Sequence, residues 1–378
     1  MISGNSKYTI IENDYVRDIL DQPRALEATL RGLSVPNSLP QILRRLEGGE
    51  LRRIVLTGMG SSFYALHPLH VLLNSSGLTT VMLETSELVH YFPKLLDRQT
   101  LIVAVSQSGL SAEIVRLLDE NKRRAQIIGV TNTEDSPLAF QADSILLTSA
   151  GEEFSVSCKT YVTALMALGQ LGSLLVPGDR APVSQSSSSS ESGEGESTNQ
   201  TSGGSPEKTA SELAQAAPAV RHYLDSWRDH VLELATCLEG VRHLFLVGRG
   251  GSLAAAGTGG LIIKESTHRH SEGMSSAAFR HGPFEMLNEE MFVLVFAGDE
   301  KTSALNLRLV EDIRQGGGRA ELLGKDAGLA SLRIPEVPKS LLPILEILPV
   351  EMVTLALAAQ TGKEAGRFTL GSKVTTTE

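Results

Sequence analysis

Two short stretches concentrate hydroxyl groups directly behind apolar runs. Gly60-Ser61-Ser62 follows the run 54–58, and Ser106-Gln107-Ser108-Gly109-Leu110-Ser111 closes the run 100–106. Each opens a helical pattern. A helix N-terminus offers unpaired N–H groups and the positive end of its dipole, which suits a phosphate. Serine hydroxyls add donors without any Lys or Arg. Serine and glycine also cap helices and turn chains. It is the pairing of two such loops at neighbouring strand ends that points to a phosphate site. Other chemistries fit less well. Gly58-Met59-Gly60 has two glycines of a dinucleotide fingerprint, but Phe63 stands at the third and the ribose acid, Glu84, comes late. No nicotinamide or other cofactor is expected. His268 and His270 would share a face only on a strand and have no further ligand at metal spacing, so no metal is expected. Cys158 has no paired histidine and reads as a packed small residue.

Loops of this kind must be held by strands. Apolar runs recur at 54–58, 79–84, 100–106, 125–131 and 144–149, with helical stretches between them such as 111–125, where Ile114, Leu117 and Leu118 share one side. Short continuous apolar runs read as strands buried on both faces, and their alternation with helices predicts a parallel α/β sheet. The second half repeats the pattern at 244–248, 291–298 and 320–324, then adds a helix over about 344–360. A shift of 190 places Gly58 on Gly248, Gly60 on Gly250 and Ser62 on Ser252, an internal repeat on the scale of a domain. The stretch 183–208 has almost no apolar residue and predicts a disordered linker, either a plain connector or a phosphorylated switch. The expected organisation is a helical segment 1–48, a first domain 49–182, the linker 183–208, a second domain 209–362 and a tail 363–378.

Composition narrows the partners. A length of 378 residues suggests two domains. The net charge of −10 disfavours nucleic acid, and 4% aromatic content leaves no stacking platform. Two cysteines, Cys158 and Cys237, cannot build a disulfide framework, so a reducing, cytoplasmic setting is expected. The first residues lack the apolar core of a signal peptide, and no uninterrupted apolar run reaches the ~18 residues of a spanning helix. A small-molecule ligand is expected, with neither nucleic acid nor membrane as partner.

Taken in order, Ser106-Gln107-Ser108-Gly109, the stretch Glu153-Phe154-Ser155-Val156-Ser157-Cys158-Lys159, Lys264-Glu265 and Arg280-His281-Gly282-Pro283 resemble the sugar isomerase (SIS) family. The likeness is to the tandem isomerase portion of glucosamine-6-phosphate synthase and to the free-standing amino-sugar-phosphate deaminases and fructosamine-phosphate deglycases. It covers about 30–378, apart from the linker. It implies two tandem SIS domains, each a flavodoxin-like three-layer sandwich, in a homodimer. It implies a phosphate cradle of Ser62, Ser106, Gln107, Ser108 and Ser111, to which Ser61 is added from its place in the first loop. A third contact segment maps to Ser155, Val156 and Ser157. The proton-transfer base maps to Glu265, the ring-opening group to His281, acting on the neighbouring subunit's site, and the tail lysine to Lys373.

These types suit aldose–ketose chemistry. One carboxylate moves a proton between adjacent carbons, and a histidine opens the sugar ring near neutral pH. A lysine either stabilises an enediolate oxygen or forms a Schiff base. The likeness has departures. Met1 leads straight into the helical segment, so no glutaminase domain is expected, Ile262 replaces a lysine, and Leu110 replaces an acidic residue. The expected reaction is deamination with isomerisation of an amino-sugar 6-phosphate. The alternatives are a fructosamine-phosphate deglycase and a non-catalytic sugar-phosphate sensor.

Overall fold

The computed structural model describes residues 7–36, 38–176, 206–370 and 373–375. The first-half runs form a five-stranded parallel sheet of β1 (Arg53–Gly58), β2 (Thr80–Glu84), β3 (Thr100–Val105), β4 (Gln126–Thr131) and β5 (Ser144–Leu147). The second half forms a four-stranded parallel sheet of β6 (His243–Gly248), β7 (Ser271–Ser275), β8 (Met291–Phe296) and β9 (Arg319–Leu323). The orders, β2-β1-β3-β4-β5 and β7-β6-β8-β9, follow one scheme. In each, the chain reverses direction across the sheet beside the first strand of the half. That switch point is where α/β sheets open a crevice for ligands.

β7 is the strand that the apolar runs do not reveal. Its residues are Ser-Glu-Gly-Met-Ser, it lies at a sheet edge, and only Ser271 is buried. Small size admits it to the sheet. A Cβ on Gly273 would lie 2.0 Å from the Ala256 carbonyl oxygen of the helix Leu253–Thr267.

The largest core cluster belongs to both halves, running from Tyr15 and Leu26 through Leu165 and Leu168 to Ile263, Leu348 and Met352. The N-terminal helix Gln22–Gly32 packs on Lys159–Leu175 of the first half and Ala216–Leu224 of the second. Leu253–Thr267 also packs against the short helix Gly60–Tyr64, which carries the first hydroxyl loop. The fit is close: a Cβ on Gly257 would lie 2.2 Å from the Tyr64 ring.

The helical stretch Lys339–Thr361 is, by length and composition, apolar enough to cross a membrane, although it holds no uninterrupted apolar run of that length. Glu346, Glu351 and the prolines Pro343 and Pro349 interrupt its apolar run, which hid it. In the fold 94% of its most apolar window is buried inside the protein. Of the expected linker, 183–205 lies outside the described residues. Its last three positions open the helix Pro206–Leu213. Proline is favourable in a first turn, and buried Leu213 anchors the other end.

Candidate active site

Both hydroxyl loops leave the carboxyl ends of adjacent strands, β1 and β3, at the switch point of the first sheet. Ser61, Ser62, Gln107, Asn132, Ser157 and Thr160 line one small opening there. The second loop is a tight turn: Ser106 Oγ accepts from the Gly109 N–H at 3.1 Å. Gly109 has φ +62°, and a Cβ there would meet Ser136 Oγ at 2.2 Å, so only glycine fits. The Gln107 carbonyl takes hydrogen bonds from the Asn132 N–H at 3.0 Å and the Thr131 hydroxyl at 3.2 Å, which ties the loop to the end of β4. Ser108 Oγ accepts from the Leu110 N–H at 3.4 Å. Ser111 is the N-cap of the helix Ala112–Asn121, and its side chain makes no cap bond. Ser106, Ser108 and Ser111 thus form the turn beside the opening that Ser61, Ser62, Gln107 and Ser157 line.

The segment 153–157 divides by role. Ser155 is buried and donates to the Gly366 carbonyl at 2.5 Å, while the Val156 side chain is in the core. Only Ser157 of the three lines the opening. Glu153 is the residue whose role the sequence left unread. Its buried carboxylate accepts from the Cys158 and Thr160 N–H groups, both at 3.0 Å, and from the Thr160 hydroxyl at 2.7 Å. It thereby caps the helix Lys159–Leu175. Cys158 is buried beside it, and burial with the Glu153 charge pushes its thiol well up, away from a nucleophilic thiolate.

The tail draws these pieces together. Gly366, at φ +77°, is pinned by its N–H to the Ser266 carbonyl at 3.0 Å and by its own carbonyl to Ser155. Lys373 then donates to Glu153 Oε2 at 2.7 Å and to the Ser155 carbonyl at 2.8 Å. The Thr375 carbonyl receives the Ala112 N–H, at the N-terminus behind the SQSG turn, at 3.2 Å.

Glu265 lies in the last turn of Leu253–Thr267, one residue before the Ser266 that holds the tail. Burial pushes its carboxyl up to about 7, against the downward pull of Lys264 and Lys373. A raised carboxylate near neutral pH is what a proton-transfer base requires. His281 stands apart. It is exposed, at the C-terminal end of the short helix Ser276–Arg280, and it is not among the groups that shift Glu265.

A family model described as "SIS domain" matches residues 50–174 and 238–321, more than half of the chain. The chain belongs to the SIS-domain family. It is 28% identical to the glutamine–fructose-6-phosphate aminotransferase (isomerizing) of Pyrococcus horikoshii over 94% of its own length, which is 56% of that protein. Against the enzyme of the same name from Thermococcus kodakarensis it is also 28% identical, over 92% of this chain and 55% of the relative. The chain thus spans about half the length of the curated relatives it matches. Among solved structures, the C-terminal domain of glucosamine-fructose-6-phosphate aminotransferase from Francisella tularensis superposes with a TM-score of 0.78 at 19% identity, covering 97% of this chain and 100% of that one. Glucosamine-6-phosphate deaminase from Thermotoga maritima does so with a TM-score of 0.71 at 18% identity, covering 97% and 100%. At these identities the structures speak for the SIS fold.

The two SIS units differ at equivalent places. Ser252, the repeat partner of Ser62, donates to Glu346 Oε1 at 2.8 Å. Glu346 is buried on the helix Leu342–Thr361, and its other oxygen has no hydrogen-bond partner. Burial pushes this carboxyl up to about 8, with Asp299 adding to the shift. Where Ser62 lines an opening in the first SIS unit, its counterpart Ser252 is engaged by an acidic side chain of the second.

Proposed function

We propose that the chain is a phosphosugar enzyme that removes the amine from a 2-amino-2-deoxyhexose 6-phosphate while converting aldose to ketose. One observation carries this reading. Glu265, half-buried and raised to about 7, feels the charge of Lys373, whose tail contacts Glu153, Ser155 and the helix N-terminus behind the second hydroxyl loop. The relatives by sequence are isomerizing aminotransferases, which supports phosphosugar chemistry of this class.

The 6-phosphate sits in the opening of Ser61, Ser62, Gln107 and Ser157, against the turn of Ser106, Ser108 and Ser111. His281, supplied by a second copy of the chain, passes a proton between the C1 hydroxyl and the ring oxygen and opens the ring to the C1 aldehyde. Glu265 takes the proton from C2 and returns it to C1, while the C1 oxygen gains the proton that the amine nitrogen gives up as the C2=N bond forms. C2 is left as an imine, and water adds there to release ammonia and the ketose 6-phosphate. The Lys373 ammonium is positioned to stabilise the negative oxygen of the intermediate.

Incubation with hexosamine 6-phosphates and fructosamine 6-phosphates, scored for ammonia and ketose phosphate, tests the reading. Ammonia with ketose from a hexosamine 6-phosphate is expected. Amine with aldose phosphate from a fructosamine 6-phosphate would replace it with a deglycase, and tight binding without turnover would replace it with a sensor.

A further inference from the structure

Glu153 has two occupations that chemistry alone does not require of one residue. Its Oε1 caps a helix through the Cys158 and Thr160 N–H groups, and its Oε2 receives both the Thr160 hydroxyl and the Lys373 ammonium. The cap needs only a neutral acceptor. The ion pair needs a charge, and that charge is fully buried while the Lys373 side chain is about one-quarter exposed. A buried charge stripped of its partner is costly, so the tail lysine is held there more firmly than a surface pair would hold it. Thr160 also lines the phosphate opening, where its hydroxyl lies 3.3 Å from that of Ser157. A continuous chain of polar contacts therefore runs from the opening through Thr160 and Glu153 to Lys373, whose charge reaches Glu265.

We propose that Glu153 is a positioning residue for the reaction, the buried counter-ion that fixes Lys373 beside Glu265 and holds the tail closed over the phosphate opening. This rests on the reading of the site above, in which Lys373 acts on the sugar. Glu153 itself touches no reacting atom. Closure of the tail would then be decided inside the first SIS unit, at the N-terminus of Lys159–Leu175, and not by the tail's own sequence.

The test uses the full chain with Glu153→Gln, Lys373→Gln and the pair combined. Glutamine keeps the shape and one acceptor oxygen for the cap but gives up the charge. Limited trypsin digestion, read by intact mass without any substrate, should show cleavage after Lys373 accelerated about tenfold or more in Glu153→Gln, as loss of a charge-assisted bond implies. On the substrate that the wild type turns over, kcat should fall by about tenfold to a hundredfold while KM changes less than about threefold. The double variant should be no slower than Lys373→Gln alone. Unchanged cleavage, an additive double variant, or KM rising in step with the loss of kcat would overturn the proposal. If Glu153→Gln does not fold, Lys373→Arg against Lys373→Met decides by the same measurements. Arginine should keep tail protection against a protease that does not require lysine, and methionine should lose it, whereas protection retained with methionine would overturn the proposal. Loss of protection in Glu153→Gln, in a protein whose wild type turns over no sugar phosphate, would sink the proposed function and leave the anchor standing.

Discussion

Glu265 owes its basicity to place. A glutamate near the end of a helix is ordinarily solvated, yet here the fold half-buries it, and that desolvation raises its carboxyl against the pull of Lys264 and Lys373. The base form is the working form, so turnover should fall as pH drops through about 7, and a kcat–pH profile checks this. Glu265→Gln should lose about 10²–10⁴ of the rate and of solvent-deuterium exchange at the sugar carbons, with affinity near wild type. Ser106→Ala with Ser108→Ala should do the reverse. Calorimetry should show weaker binding by about 1.5–3 kcal/mol per charge-assisted bond lost, with the folded state intact. The residue types at 106–111 and 265 were legible because small hydroxyls behind a strand and an acid in an ordered motif carry their chemistry in their names. Glu153 was not legible in the same way. Its partners Thr160 and Lys373 are 7 and 220 positions away, and no local pattern announces an ion pair across that distance.

At the level of elements, apolar runs give away strands buried on both faces and conceal those admitted for being small. The eight apolar runs mark eight strands within a residue or two at each end, whereas Ser271–Ser275 shows no such run. The close approach of Leu253–Thr267 to Gly60–Tyr64 was equally hidden, because glycine on a helix reads as weakness until a neighbour's ring is seen against it. Gly257→Ala should cost about 1–3 kcal/mol by overpacking, measured by denaturant unfolding, and should impair turnover by displacing the helix that bears Glu265. The buried helix Leu342–Thr361 carries a second pH-dependent term. Glu346 ionises at about 8 in the fold against an ordinary 4.5, so between those values the folded chain keeps a proton that the unfolded chain releases. Stability must therefore fall as pH rises through that interval. Glu346→Gln, which retains an acceptor for Ser252, should melt above the wild type at about pH 8, with the difference shrinking towards about pH 4.

For the molecule as a whole, one core joins the halves, and the N-terminal helices pack onto both. This union was only partly readable. The repeat frame of 190 residues showed that there were two units, but which helices they would share depends on packing between segments far apart in sequence. His281, exposed and not among the groups that shift Glu265, leads to a prediction about assembly. In a homodimer that exchanges this loop, mixing inactive Glu265→Gln with inactive His281→Ala subunits should restore part of the turnover through hybrid dimers. No recovery, with subunit exchange verified by mass, would place both groups in one chain's site.

The carboxyl group of Glu346 gives the duplicated architecture an arithmetic. Glu346 takes up the hydroxyl of Ser252, the repeat partner of Ser62, so the second unit does not offer a phosphate the donor that its pseudo-symmetric counterpart offers. A titration should therefore saturate at one equivalent of sugar phosphate per chain, not two. The two halves of a single chain cannot then bind cooperatively with one another, and any sigmoidal response to sugar phosphate must arise between chains.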